Sequence, residues 1–278
     1  MSTLTDLLQK IGFRKSAKGL YLVLFFFLIL PASFFYFVNG SSSNGYVVTE
    51  VIDGDTVIIE GSDNHVRYLD IDAPEILHED SPGDPLGKEA TNLNKSLVLG
   101  KKVKLEFDRG KFDAYGRELA YVYVDGVFVN QEIVRNGLAR TLIIKPNGKY
   151  ANIIYEAENE AKRERRGIWG DLDKLIPPSE DVNFLIKPSQ ASRYIDQRVV
   201  VRGKITDFRK SDKVIVLKME DELDIVIFYD TLANFRFFGI SPESYYVGKP
   251  VEVIGKVRMY KGRPEIRISH PMSIRTLG

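Results

Sequence analysis

The sequence predicts an α+β fold, mainly β with helices, behind an N-terminal membrane-spanning helix. Three observations carry that expectation. Residues 19–38 form an apolar run without a charge, short β-branched and aromatic runs broken by turn residues begin at 46, and helix-period stretches interleave with the first of them. A chain of 278 residues fits one large or two ordinary domains. With 44% hydrophobic and 28% charged residues it can build packed cores, which excludes a wholly disordered, collagen-like or multi-span membrane protein.

The apolar run, GLYLVLFFFLILPASFFYFV, spans 20 residues. As a helix rising about 1.5 Å per residue it measures roughly 30 Å, the hydrocarbon thickness of a bilayer. Lys10, Arg14, Lys15 and Lys18 precede it, and the flank after it, NGSSSNGY, carries no charge. The positive-inside tendency then puts residues 1–18 in the cytoplasm and the rest of the chain outside a single-pass anchor in the cell membrane. A cleaved signal and a secreted product are the alternative, but the run is long for a signal and no clear A-x-A site follows.

The β runs of the first region lie at 46–52, 56–59, 66–71, 103–107 and 119–124. Asp125-Gly126 turns the last of these into 127–129. Helices are expected at 87–99, 130–136 and 150–166, the last stopped by Gly167. Residues 171–197, with Pro177, Pro178 and Pro188, read as a linker. A second set follows over 198–278, with strands at 198–206, 213–219, 223–229, 250–259 and 264–269 and a mixed stretch at 231–239. Five strands with one helical element between the third and fourth match an OB barrel.

The net charge of +1 hides an uneven distribution. Residues 46–170 carry 17 basic and 22 acidic groups, whereas 198–278 carry 15 basic and ten acidic. An acidic middle beside a basic end points to two domains with different tasks. No cysteine is present, so disulfides, thiolate metal sites and a cysteine nucleophile are excluded. The three histidines are far apart and lack zinc spacing, so any catalytic metal should sit among oxygen ligands.

Such oxygens cluster between 53 and 75: Asp53, Asp55, Asp70, Asp72 and Glu75, with Arg67 among them. Asp55 lies in the turn Asp53-Gly54-Asp55-Thr56, and Asp72 and Glu75 flank Ala73-Pro74. Any one of these is an ordinary turn residue. If the two turns meet, their carboxylates converge on a pocket suited to Ca²⁺. Phosphodiester hydrolysis needs an activated water and charge stabilisation at phosphorus. Glu75 is the candidate base, and Arg67 and Arg117 are the candidate clamp, since guanidinium is a planar fork matching phosphate oxygens.

The ordered motifs VIDGDT (51–56), VRYLDIDAPE (66–75), DAYGR (113–117) and LAYVY (119–123) resemble those of the staphylococcal nuclease (thermonuclease) family. VNQE (129–132), GLA (137–139), KPN (145–147) and GIW (167–169) extend the resemblance across about 46–170. The resemblance implies a five-stranded OB-type barrel with three helices that cleaves DNA and RNA to 3′-phosphate ends. It implies that Asp55, Asp72 and the Ala73 carbonyl bind Ca²⁺, that Glu75 activates water, that Arg67 and Arg117 stabilise the five-coordinate phosphate, and that Tyr115 contacts a substrate phosphate. Ala73 stands where the family usually has threonine, Ala114 where it has lysine, and Leu142 and Ile144 where it has tyrosines near the base.

The C-terminal region resembles tRNA/helicase-type OB domains, and its Arg202, Lys204, Arg258, Lys261 and Arg267 interleaved with Phe208, Phe228 and Tyr260 suit single-stranded nucleic acid. The expected protein is a membrane-anchored, Ca²⁺-dependent nuclease. A non-catalytic nucleic-acid-binding scaffold is the alternative. A surface protein whose second barrel binds protein or sugar is a further rival.

Overall fold

The computed structural model describes residues 45–61, 65–175 and 184–277. The candidate membrane span at 19–38 lies outside the described residues, and among these no helix is long and apolar enough to cross a bilayer.

The first barrel opens with the antiparallel meander β1 (Tyr46–Val51), β2 (Thr56–Ile59) and β3 (His65–Tyr68). β1 carries a register shift between Val48 and Glu50, the kink that lets a short strand curl around a barrel. The expected single strand at 66–71 is two. Asp70 adopts φ 64°, a left-handed conformation that aspartate tolerates and a strand does not, so β3 stops and the two-residue β4 (Ile71–Asp72) starts in a new direction.

Next come α1 (Gly87–Val98), β5 (Lys102–Glu106), β6 (Glu118–Val124), β7 (Val127–Phe128), α2 (Val129–Arg135), β8 (Arg140–Thr141) and α3 (Ala151–Arg163). The strand order is β3-β2-β1-β5-β6-β7, and β3 also pairs in parallel with β6, which closes five strands into a barrel. Alternation puts Val48, Val57, Val66, Val103, Ala120 and Val122 inside, and Ile133, Val134, Ile154 and Ala157 of α2 and α3 pack onto them. β4 leaves the barrel to pair with β8, placing Asp72 opposite Arg140.

After the 3₁₀ turn Gly167–Trp169 and the short α4 (Leu172–Leu175), a second, mixed sheet begins inside the stretch expected as linker. It consists of β9 (Leu185–Ile186), β10 (Arg198–Lys210), β11 (Val214–Met219), β12 (Leu223–Phe228), the helices α5 (Leu232–Phe237) and α6 (Pro242–Tyr245), β13 (Pro250–Tyr260), β14 (Arg263–Arg267) and β15 (Ile274–Thr276). The order is β15-β13-β14-β12-β11-β10-β9, with β13 also paired to β10. The ring β10-β11-β12-β14-β13 repeats the pairing of the first barrel, including one parallel pair, here β12 with β14. Its core is separate and includes Val201, Leu217, Ile225, Phe235, Val253 and Ile266.

The two barrels share a small apolar junction. Ala161, Ile168 and Trp169 pack with Met272, and Phe237 and Phe238 lean against them. The Trp169 ring meets Phe237 and His270 edge-on at 5.6 and 5.0 Å, and the Lys162 ammonium lies 4.1 Å from its centre.

Candidate active site

The turn between β1 and β2 and the segment after β4 meet, as the residue pattern anticipates. The Asp53 carboxylate accepts the Asp55 backbone N–H at 2.8 Å, closing the turn on itself. Gly54 lets the turn approach its neighbours, because a Cβ there would stand 2.6 Å from the Ala73 Cβ and 2.7 Å from that of Ala90. Asp55 is buried, and its Oδ2 accepts the Ala73 N–H at 2.6 Å. The two acidic segments are thus joined directly.

Arg67, near the end of β3, ties them a second time. Its Nε lies 3.0 Å from Asp55 Oδ1 and one terminal nitrogen lies 3.0 Å from Asp72 Oδ1. The other terminal nitrogen donates to the carbonyls of Tyr68 and Ile71, both at 2.9 Å, so the guanidinium is fixed in plane. Asp72 also receives Arg140 from β8, at 2.6 Å to Oδ2. Burial raises the Asp55 pKa well above the usual carboxylate range, against the opposing pull of Arg67. Burial acts on Asp72 in the same sense, but Arg140 and Arg67 outweigh it and hold that carboxyl low.

Glu75 sits at the edge of this cluster. Its backbone N–H donates to Asp84 Oδ2 at 3.1 Å, and the Asp84 N–H returns a bond to the Glu75 carbonyl at 2.8 Å. α1 begins against it: a Cβ on Gly87 would fall 2.0 Å from the Glu75 carbonyl oxygen. Burial, then the negative charge of Asp53, raise the Glu75 pKa. The second barrel reaches this segment too. Arg198, at the start of β10, pairs with Asp84, and its Nε donates to the Pro82 carbonyl at 3.0 Å.

The predicted site residues therefore fall into two groups. Asp55, Arg67, Asp72 and Ala73 form one bonded cluster with Glu75 beside it. Asp70 leaves it: its Oδ2 accepts the Tyr121 hydroxyl at 2.7 Å, on the other side of the left-handed turn. Arg117 and Tyr115 belong to a separate loop. The Arg117 Nε donates to Asp113 Oδ2 at 2.7 Å, its guanidinium stacks 5.7 Å from the Tyr115 ring centre, and Tyr115 is 75% exposed. Among the described residues, no hydrogen bond or ion pair joins that loop to the Asp55–Arg67–Asp72 cluster. Nor do three or more acidic or histidine side chains already gather as a metal cage among those residues. Ile144 is 65% exposed.

Sequence reasoning missed Arg140, Asp84 and Arg198. Arg140 follows the Gly-Leu-Ala motif by one residue, so its place opposite β4 was within reach. Arg198 and Asp84 are 114 residues apart and carry no local signal.

A family model described as Staphylococcal nuclease homologue matches residues 65–171. The thermonuclease of Staphylococcus intermedius is 41% identical over 134 residues, which cover 48% of this chain and 78% of that protein. The chain belongs to the thermonuclease family. The thermonuclease of Staphylococcus hyicus is 34% identical over 168 residues, 57% of this chain and 99% of its own length. Endonuclease YncB of Bacillus subtilis is 46% identical over 122 residues, 42% of this chain and 58% of that protein. The thermonuclease-like part of the chain is accordingly a phosphodiester hydrolase acting on nucleic acid. The family match ends before the second sheet.

Proposed function

We propose that this protein is a calcium-dependent endonuclease that hydrolyses DNA and RNA to 3′-phosphate ends, held at the cell membrane by residues 19–38 with its barrels outside the cell. The observation that carries the chemistry is one guanidinium, Arg67, bonded to two carboxylates from different turns, with a third carboxyl, Glu75, three residues beyond Asp72.

The donor set fits a hard cation. Asp55, Asp72 and the Ala73 carbonyl offer only oxygen, and two of the three already face one positive charge. Calcium bound there would add positive charge at the scissile phosphate. Glu75, whose proton affinity burial raises, would take the proton of the attacking water. Arg67, held in plane by two carbonyls, would present its fork to the phosphate once a cation shares its load on Asp55 and Asp72. In this reading Arg117 and Tyr115 meet the phosphate from their own loop, Arg117 stabilising the developing charge and assisting the leaving group.

The test is cleavage of single-stranded DNA and RNA by the full chain, with calcium and with chelator. Glu75→Gln should lower kcat by a factor of about 10² to 10⁴ while the far-UV circular dichroism stays unchanged. Equal rates in both proteins would remove Glu75 from the mechanism. Cell fractionation should find the chain in the membrane; recovery as a shortened secreted form would overturn the anchor. A non-catalytic scaffold would bind oligonucleotides with no product at any calcium concentration.

A further inference from the structure

The two barrels enclose a cavity of about 380 Å³. One wall is the edge that bears Asp72, Ala73 and Glu75. The opposite wall is the outer face of β13 and β14, where Lys256, Arg258 and Arg267 line it. The period of two along β13 sends Val253 and Val257 into the second core and Lys256 and Arg258 into the cleft.

Lys256 and Arg258 differ from Arg267, whose Nε lies 2.7 Å from the buried Glu265 of its own sheet, and from the other arginines of the second barrel. Arg202, Arg209 and Arg263 are drawn onto buried carboxylates of their own sheet. Arg258 is exposed and has no ion-pair partner among the described residues. Lys256 has only a loose pair, 3.4 Å to the exposed Asp196. A buried donor adds to them. The His270 Nδ1 accepts the Met272 N–H, so the neutral ring carries its proton on Nε2, and that atom has no partner among the described residues. The cleft thus offers unspent positive charge and an unspent N–H beside the hydrolytic edge. Arg267, which lines the cleft, has its guanidinium 5.4 Å from the ring centre of Phe228.

A ligand that brings negative charge at regular intervals along a flexible chain, with flat rings attached, answers this arrangement. We propose that the cleft between the barrels binds the phosphates of the single strand adjoining the scissile bond, through Lys256 and Arg258, with Phe228, against which Arg267 is stacked, as a platform for a base. The second barrel then completes the substrate site rather than serving as a separate tether. The inference rests on reading the Asp72–Glu75 edge as the hydrolytic centre. It also supplies what the acidic first domain lacks, a cationic surface for a polyanion.

The experiment compares a dinucleotide, which occupies only the scissile position, with a 16-residue oligothymidylate, both cleaved by the full chain with calcium. The double variant Lys256→Ala/Arg258→Ala should raise KM for the 16-mer about tenfold, leave its kcat within twofold, and leave dinucleotide cleavage within twofold. The slope of log affinity against log salt, measured by anisotropy on the 16-mer in chelator, should fall by about 1.4, from roughly 0.7 per lost phosphate contact on a single strand. Equal losses on both substrates, or no loss on either, would overturn the proposal. Arg258→Gln, exposed and unpaired, carries the test if the double variant does not fold. If the unaltered chain cleaves neither substrate, the nuclease reading fails, and the anisotropy slope still decides the cleft.

Discussion

The two barrels share one strand-pairing scheme and pair their carboxylates in different ways. In the first, Asp53, Asp55, Asp72 and Glu75 come from two turns, and Arg67 is shared between Asp55 and Asp72. In the second, Asp224, Glu252 and Glu265 are buried on the sheet and every one meets at least one arginine. Arg209 and Arg263 serve Asp224, Arg202 and Arg275 serve Glu252, and Arg267 serves Glu265. Carboxylates outnumber their cations in the first barrel, and cations outnumber carboxylates in the second. An excess of carboxylate leaves room for a metal, and an excess of guanidinium leaves room for phosphate. On the proposed reading, the same topology supports chemistry at one end and grip at the other, and the sites, not the barrels, decide which.

The sharpest break in this comparison is Arg67→Ala. It strips the shared cation from two carboxylates at once and should cost about 3 kcal/mol of stability without calcium. It should also lower kcat by a factor of about 10² to 10³, the usual loss for one charge-stabilising donor. Urea unfolding and single-turnover cleavage measure the two effects. An activity loss without any stability loss would mean that Arg67 is not needed to balance Asp55 and Asp72.

Arg198→Ala comes next and asks whether the barrels act as one unit. It frees Asp84 and the segment that starts at Glu75, and should cost about 2 kcal/mol. A double-mutant cycle with Asp84→Asn should recover most of that cost as coupling energy. Additive losses would show that the pair does not join the barrels.

Gly54→Ala should destabilise by about 1–3 kcal/mol, because its Cβ has no space between Ala73 and Ala90. Gly126→Ala meets nothing within 4 Å and should show only the strain of its φ of 82°. Thermal melts of the two variants separate crowding from backbone conformation.

His270 gives a pH-graded effect. Burial lowers its pKa to about 3 from 6.5, with Arg140 and Lys162 acting in the same direction. Below pH 6.5 the unfolded chain takes up a proton that the folded chain refuses until about pH 3, so stability falls as pH falls. The slope from this one group is at most about 1.4 kcal/mol per pH unit. His270→Gln should flatten the acid limb between pH 6.5 and 4.5 in denaturant titrations; an unchanged limb would mean that His270 charges freely in the fold. The smallest expected effect is Arg209→Ala, below about 1 kcal/mol, because this guanidinium is more than half exposed and Arg263 remains on Asp224.

Much of this architecture was legible in the sequence. β2 falls at its expected residues, and β1, β5, β6 and the three main helices fall within three residues of theirs, because alternation and helix period survive folding unchanged. The break at Asp70 had only a faint signal, the slip of alternation at Tyr68-Leu69 within an otherwise β-like run, and the Asp70 carboxylate meets the Tyr121 hydroxyl from a distant strand. The same break decides that Asp72 joins Arg67 and Asp70 does not. β9 and β15 were missed because two or three residues show no period. β10 runs four residues past its expected end, where Asp207 and Arg209 look like loop until Lys218 and Val216 are placed opposite them. The pairing of Arg198 with Asp84 needed the packing of two barrels and could not come from spacing at all.

Trp169 is the single tryptophan of the chain, and the fold places it, fully buried, at the apolar junction rather than in either barrel core. Its fluorescence is therefore a built-in gauge of domain separation. Prising the barrels apart would wet the indole and shift its emission to the red while both sheets still held their circular dichroism. One optical signal, without a label, would thus time the undocking of the two halves apart from their melting.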